Sequence, residues 1–136
     1  KGILIPVYKG LYLTVPLSEI DPQELGKAII HDYTYLSTES VLFQNGLINQ
    51  TNYSYTFVAG KSKKITVKDI SFLYRRLKDE FLFNPAGIEN RNGLLVASAE
   101  RAVADMLYFN PNYHFDLAEI INWNKVKQIQ KEAGYK

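Results

Sequence analysis

The chain has 136 residues, a formal net charge of +2, 46% hydrophobic and 13% aromatic residues, and no cysteine. That length and apolar content suit one modest folded domain and exclude wholesale disorder. Disulfides and thiolate metal sites are excluded, no apolar run approaches the roughly 18–20 residues that span a bilayer, and no signal-peptide pattern opens the chain, so the expected setting is cytoplasmic.

Residues 2–15 predict a hairpin, with strand Gly2–Ile5, a turn from Pro6 to Gly10, and strand Leu11–Val15. Two strands alone are marginal in water, so this hairpin needs a surface to pack on. Lys1 stands where an initiator methionine would, and the expectation is a chain shortened at its N-terminus. Asp21-Pro22-Gln23-Glu24 starts a helix, with Asp as N-cap, Pro in the first turn and Glu complementing the dipole. It should turn Leu25, Ala28 and Ile29 inward and end near His31-Asp32. Ser37 is placed to cap a short helix running to Gln44, and Gly46 to end it in the left-handed conformation. Val41, Leu42 and Leu47 would then face a core.

Tyr53–Val58 alternates as a strand should, and Ile65–Val67 predicts another. Between them, Gly60-Lys61-Ser62 is half of a phosphate loop. The complete pattern needs glycine at position 55, where tyrosine stands, and no helix pattern follows; nucleotide binding is excluded on that spacing. Residues 61–78 carry Lys61, Lys63, Lys64, Lys68, Arg75, Arg76 and Lys78 against Asp69 alone, so the rest of the chain is net acidic. Such a block is either a solvated sheet face or the electrostatic footprint of an anionic partner.

Ile70–Phe83 fits two periods, helix through Ile70, Leu73, Tyr74 and Leu77, or strand through Ile70, Phe72 and Tyr74. Asn84–Gly93 reads as a loop by its Pro, Gly and Asn content, and Gly93–Ala97 as a short strand. Ser98 caps a helix with Glu100 in its first turn and Ala102, Val103, Met106 and Leu107 on its apolar face. Arg101 and Asp105 are spaced i,i+4, a pair worth a few tenths of a kcal/mol if exposed. Asn110-Pro111-Asn112 breaks the chain, and two helices follow over 115–122 and 124–133, with Asn124 capping the second and Gly134 ending it.

Catalytic groupings are missing from this pattern. His31 and His114 are isolated, and Glu100 and Asp105 diverge around a helix. Asp69 and Asp79-Glu80 beside Lys78 stand in the wrong order for a divalent-ion nuclease, the weakest of the functional readings. The expectation is a protein that is not an enzyme, with no metal site and no cofactor.

Four segments carry a resemblance. They are the hairpin pair Lys1-Gly-Ile-Leu-Ile5 and Tyr8-Lys-Gly-Leu-Tyr12, the stretch Tyr35-Leu-Ser-Thr-Glu-Ser-Val-Leu-Phe-Gln-Asn-Gly46-Leu47, the basic strand pair around Lys61–Lys64 and Arg75–Lys78, and Leu95-Val-Ala-Ser-Ala-Glu-Arg-Ala-Val-Ala-Asp-Met-Leu-Tyr108. In this order they resemble the AbiEi family, the antitoxins of AbiE-type (type IV) toxin–antitoxin pairs of abortive infection. The resemblance implies an α+β fold, a small mixed or antiparallel sheet with flanking helices, preceded by a residual winged-helix hairpin. Residues 1–16 would be the wing of an incomplete winged helix-turn-helix, and 17–136 the core. It also favours strand after residue 70. By the same resemblance the protein is a cytoplasmic antitoxin that represses its own operon by binding operator DNA. It counters a nucleotidyltransferase-like toxin without a stable inhibitory complex, and oligomeric state stays open.

Lys61, Lys63, Lys64, Arg75, Arg76 and Lys78 are the expected nucleic-acid-binding residues, giving phosphate affinity, with base readout left to a recognition helix upstream of Lys1. The competing reading is a protein-interaction module whose basic face meets an acidic partner. Tyr53, Tyr55, Phe57, Phe72 and Tyr74 would then form either an interface core or ordinary sheet packing.

Overall fold

The computed structural model describes residues 5–8, 11–13, 21–30, 32–49, 54–67 and 69–135, so His31, Tyr53 and Lys68 lie outside the described residues. Strands β1 (Ile5–Tyr8) and β2 (Leu11–Leu13) pair antiparallel as a separate two-stranded sheet. The expected antiparallel pairing is present, but Pro6 lies within β1 opposite Tyr12 and Tyr8 opposite Leu11, with a register shift between Pro6 and Tyr8, so Pro6–Tyr8 is strand where the sequence predicts turn. A proline needs no ladder partner for its nitrogen and is tolerated in a two-stranded edge of this kind.

Next in the chain come helix α1 (Pro22–Ile29), strand β3 (Thr34–Leu36), helix α2 (Glu39–Gln44), and strands β4 (Ser54–Ala59), β5 (Lys63–Val67) and β6 (Ile70–Arg76). After them lie α3 (Asp79–Leu82), β7 (Ile88–Arg91), β8 (Leu94–Ala97), α4 (Ala99–Phe109), a 3₁₀ turn over Ala118–Ile120, and α5 (Trp123–Ala133). Six of the strands form one mixed sheet in the order β5-β6-β4-β3-β8-β7. The β4–β6 and β3–β8 pairs are parallel and the rest antiparallel. The fold is α+β, a mixed sheet with flanking helices.

Local signals place most element ends. Asp21 accepts from the Gln23 amide at 3.2 Å and Ser98 from the Arg101 amide at 3.1 Å, so both expected caps hold. Helix α1 stops at Ile29, short of residue 31. Gly46, at φ 74°, closes α2 with the paired Gly46→Phe43 and Leu47→Leu42 amide bonds of a Schellman turn. Residues 84–93 are not all loop. Asn92 and Gly93, at φ 53° and 92°, make a two-residue turn that pairs β7 with β8, the conformation Asn-Gly favours. The first of the two closing helices is only the 3₁₀ turn. Asn122, not Asn124, caps α5, accepting from the Lys125 amide at 3.2 Å, and Gly134 follows its end.

One face of the sheet is covered by α1. Leu25 and Ile29 are buried there, whereas Ala28 is exposed and Gly26 takes the inward position. The reason is space. A Cβ on Gly26 would meet the Phe57 ring at 2.6 Å and the Phe72 ring at 2.9 Å. Phe57 and Tyr74 stack beneath it at 5.4 Å, and the Tyr74 hydroxyl donates to the Gly26 carbonyl at 2.5 Å. These aromatics are core, fully buried, which removes Phe57, Phe72 and Tyr74 from any interface; Tyr55 is half-buried against Phe72.

The opposite face holds the largest departure from expectation. Arg101 and Asp105 are not a surface pair; both side chains are 0% exposed beneath α4. Arg101 Nε donates to Asp105 at 3.1 Å, its Nη1 to the carbonyls of Asn84 and Ala86, and its Nη2 to the Phe81 carbonyl and the Tyr35 hydroxyl. All five guanidinium donors are used. Asp105 in turn accepts from Tyr35 and Ser37 at 2.8 Å each and from Tyr135 at 2.5 Å. Ser37 therefore serves this cluster instead of capping α2, where Thr38 takes the cap position.

Burial alone would lower the Arg101 pKa, but Asp105 and the two tyrosines outweigh it and raise it, so the guanidinium stays charged. Burial first, and Asp105 next, raise the Tyr35 and Tyr135 pKa values and keep both hydroxyls protonated as donors. No buried side-chain nitrogen or oxygen among the described residues lacks a partner.

Two stability outcomes follow from this packing. Arg101→Met leaves Asp105 buried without its cation and should remove about 3–5 kcal/mol in urea unfolding, while Arg101→Met/Asp105→Leu should lose less than the sum of the single variants. Additive losses would contradict the coupling. Gly26→Ala should lower stability by about 1–3 kcal/mol through overpacking against Phe57, although alanine is the better helix former by about 1 kcal/mol.

Candidate nucleic-acid interface

Strand order brings the two basic segments together. β4 ends at Ala59 and β5 starts at Lys63, yet β6 lies between them in the sheet. The connection Gly60-Lys61-Ser62 therefore crosses the end of β6, a span of two interstrand spacings, about 10 Å. Two bonds pin the crossing. The Leu77 amide donates to the Ala59 carbonyl at 2.9 Å, and the Arg76 amide to Ser62 Oγ at 3.2 Å. Lys61–Lys64 is thereby fixed beside Arg75 and Arg76.

On β5, Lys63 stands opposite Tyr74 and Lys64 opposite Leu73. Consecutive strand residues point to opposite faces, so the two lysines straddle the sheet edge. Between β5, β6 and the end of α4 lies an open groove of about 500 Å³, lined by Ser62, Lys63, Lys64, Leu73, Arg75, Arg76 and Phe109 together with Tyr74. Lys63, Lys64 and Arg76 are exposed on it, and among the described residues no acidic one lines it. Lys61 sits exposed on the adjoining turn. Lys78 is exposed but outside the groove, at the start of α3 beside Asp79 and Glu80.

Arg75 differs from its neighbours. Its guanidinium forms a two-pronged ion pair with Glu39 (Nη2 to Oε2 at 2.8 Å, Nη1 to Oε1), and Nη1 also donates to Thr38 Oγ1 at 2.9 Å. Its Cζ lies 5.9 Å from the Phe109 ring centroid. Arg75 is thus a neutralised, oriented part of the groove wall rather than a free cation for phosphate. Burial opposes ionisation of Glu39, but the bonds and charge of Arg75 outweigh it and hold its carboxyl below the usual range.

Helix α2 is tied to β4 by exchanged bonds, the Ser40 amide to Thr56 Oγ1 at 2.9 Å and the Thr56 amide to Ser40 Oγ at 2.8 Å. Those bonds aim Glu39 at β6. Thr38, just before it, has φ 58° and ψ −131°, a conformation that a β-branched residue adopts only under strain. Its hydroxyl donates to the Ser37 carbonyl at 2.8 Å while accepting from Arg75.

Thr38, Glu39 and Phe109 are site residues that sequence reasoning passed over. Glu39 reads as an ordinary first-turn acid, and the residue type of Thr38 gives no sign of its backbone. Among the described residues no group of three or more His, Cys, Asp or Glu could hold a metal ion, and no helix is long and apolar enough to cross a membrane. His114 is exposed, 3.7 Å from Asp116. The chain matches no protein-family model, no curated protein and no solved structure.

The strain at Thr38 has a direct check. Glycine fits its backbone freely, so Thr38→Gly should be more stable than Thr38→Ala by about 1–2 kcal/mol in chemical unfolding. The usual order, alanine at least as stable as glycine, would contradict it.

Proposed function

We propose that this chain is a non-catalytic nucleic-acid-binding protein, the antitoxin and autorepressor of an AbiEi-like toxin–antitoxin operon. Phosphates are bound at the β5–β6 edge by Lys61, Lys63, Lys64 and Arg76. The observation that supports the binding most is the crossing connection, which sets the exposed Lys63, Lys64 and Arg76 on one groove and Lys61 on the adjoining turn, with no acid among the described residues that line it. Lysines on an edge strand also discourage edge-to-edge pairing. That role would be met by Lys63 and Lys64 alone; it leaves Lys61 and Arg76 unaccounted for. The antitoxin part of the proposal rests on the ordered sequence motifs. The toxin is a functional partner, with no stable contact to it required.

A phosphate contact of this kind is steeply salt-dependent. With about four phosphates neutralised, log K should fall against log salt with a slope of about −3 to −4 on duplex DNA. Replacing Lys61, Lys63 and Lys64 together with Glu should abolish binding measured by fluorescence anisotropy. Unchanged affinity would overturn the assignment.

A second reading draws on β5 as one of the two edge strands of the six-stranded sheet. An extended acidic segment of a protein partner could add to that edge by main-chain bonds. Retention of a protein by the immobilised chain after nuclease treatment, lost in the same triple variant, favours this reading instead.

A further inference from the structure

We propose that the groove takes single-stranded nucleic acid, with one unpaired base on the surface formed by Phe109 and Leu73, one flanking phosphate on Lys64 beside it, and the strand continuing over the sheet edge to Lys63 and Arg76. This rests on the proposal that the basic edge binds nucleic acid, and it specifies the form bound.

A duplex turns its phosphates outward and keeps its bases stacked inside. Binding to a duplex backbone would be served by exposed lysines and has no use for an apolar surface between them. Here Lys64 stands on the same face as Leu73 and Phe109, both only half-buried, while Lys63 and Arg76 rise from the other face and meet the groove at its rim. Its volume of about 500 Å³ falls in the range of small-ligand clefts, room for a base and sugar, whereas a duplex could only lie across the rim. Aromatic surfaces beside a cationic track are the general device for holding single strands, because every base has a π-face.

The fixed guanidinium supports the same occupant. Arg75 is already neutralised by Glu39 and steadied by Thr38, so little of its charge remains for a phosphate. A planar guanidinium held in place beside an aromatic ring offers a second flat surface for a base. The strained Thr38 backbone is part of what holds it there.

The test uses the whole chain and three labelled probes of equal length, oligo-dT, oligo-rU and a mixed-sequence DNA duplex, in anisotropy titrations at one salt concentration. The expected result is tighter binding of a single strand than of duplex, with the dT and rU arms showing whether DNA or RNA is preferred. Phe109→Ala should weaken single-strand binding about ten- to a hundredfold and leave duplex binding within about twofold, and Phe109→Trp should restore it. Circular dichroism melting of both variants separates loss of the surface from loss of the fold. Tighter duplex binding, or folded Phe109 variants that bind single strands as the parent does, would overturn the inference while leaving phosphate binding at the edge intact. Absence of binding to all three probes would overturn both.

Discussion

A charged pair that never meets water holds this fold together. Arg101 sits in the middle of the protein with all its donors occupied, and its partners come from far apart in the chain: Tyr35 on β3, the Phe81–Ala86 turn, Asp105 on its own helix. Tyr135 reaches Asp105 from beyond α5, so the C-terminal helix is fastened to the same point. Placing such ions in a low-dielectric interior is unfavourable until every hydrogen bond is made. The cluster is therefore cooperative. Partial assembly leaves a buried charge unpaired, and only the complete arrangement of β3, α4, α5 and the turn before β7 satisfies it.

That constraint bears on the groove at one remove. Ser37 is drawn into the cluster by Asp105, and the next two residues, Thr38 and Glu39, are the ones that hold Arg75. The strained backbone at Thr38 lies at the junction between a core contact and a surface contact. On the other side, α4 runs from the cluster to Phe109 at the groove wall. The buried network and the exposed basic rim are thus joined through one tripeptide and one helix. The Ala97–Tyr108 segment is a structural motif on this account, and the proposed contacts with nucleic acid lie elsewhere.

Features written in adjacent residues were legible in the sequence. The caps at Asp21 and Ser98, the Gly46 turn and the strand β8 all depend on local bonds, and the structure has them. Strand β6 is legible only with the help of the resemblance, because Ile70–Leu77 fits both periods. Strand β7 escapes because three of its four residues are exposed, leaving no alternation to read. Burial of Arg101 and Asp105 escapes for another reason. Their i,i+4 spacing is identical in a solvated pair, and the partners that make them a core are set by topology. The basic block is visible by composition; its gathering into a groove depends on β6 being inserted between β4 and β5, and Arg75 leaves the set because Glu39 folds against it.

Nucleic-acid contacts are proposed only at the edge of the sheet, at β5, β6 and the end of α4. Amide chemical-shift mapping with an isotopically labelled chain and an oligonucleotide tests this placement most directly. The account predicts changes at residues 60–64, 73–76 and 109, with 38–39 following as Arg75 responds, and none along β7 or α5. Changes centred on β7 or α5, with the edge silent, would contradict it.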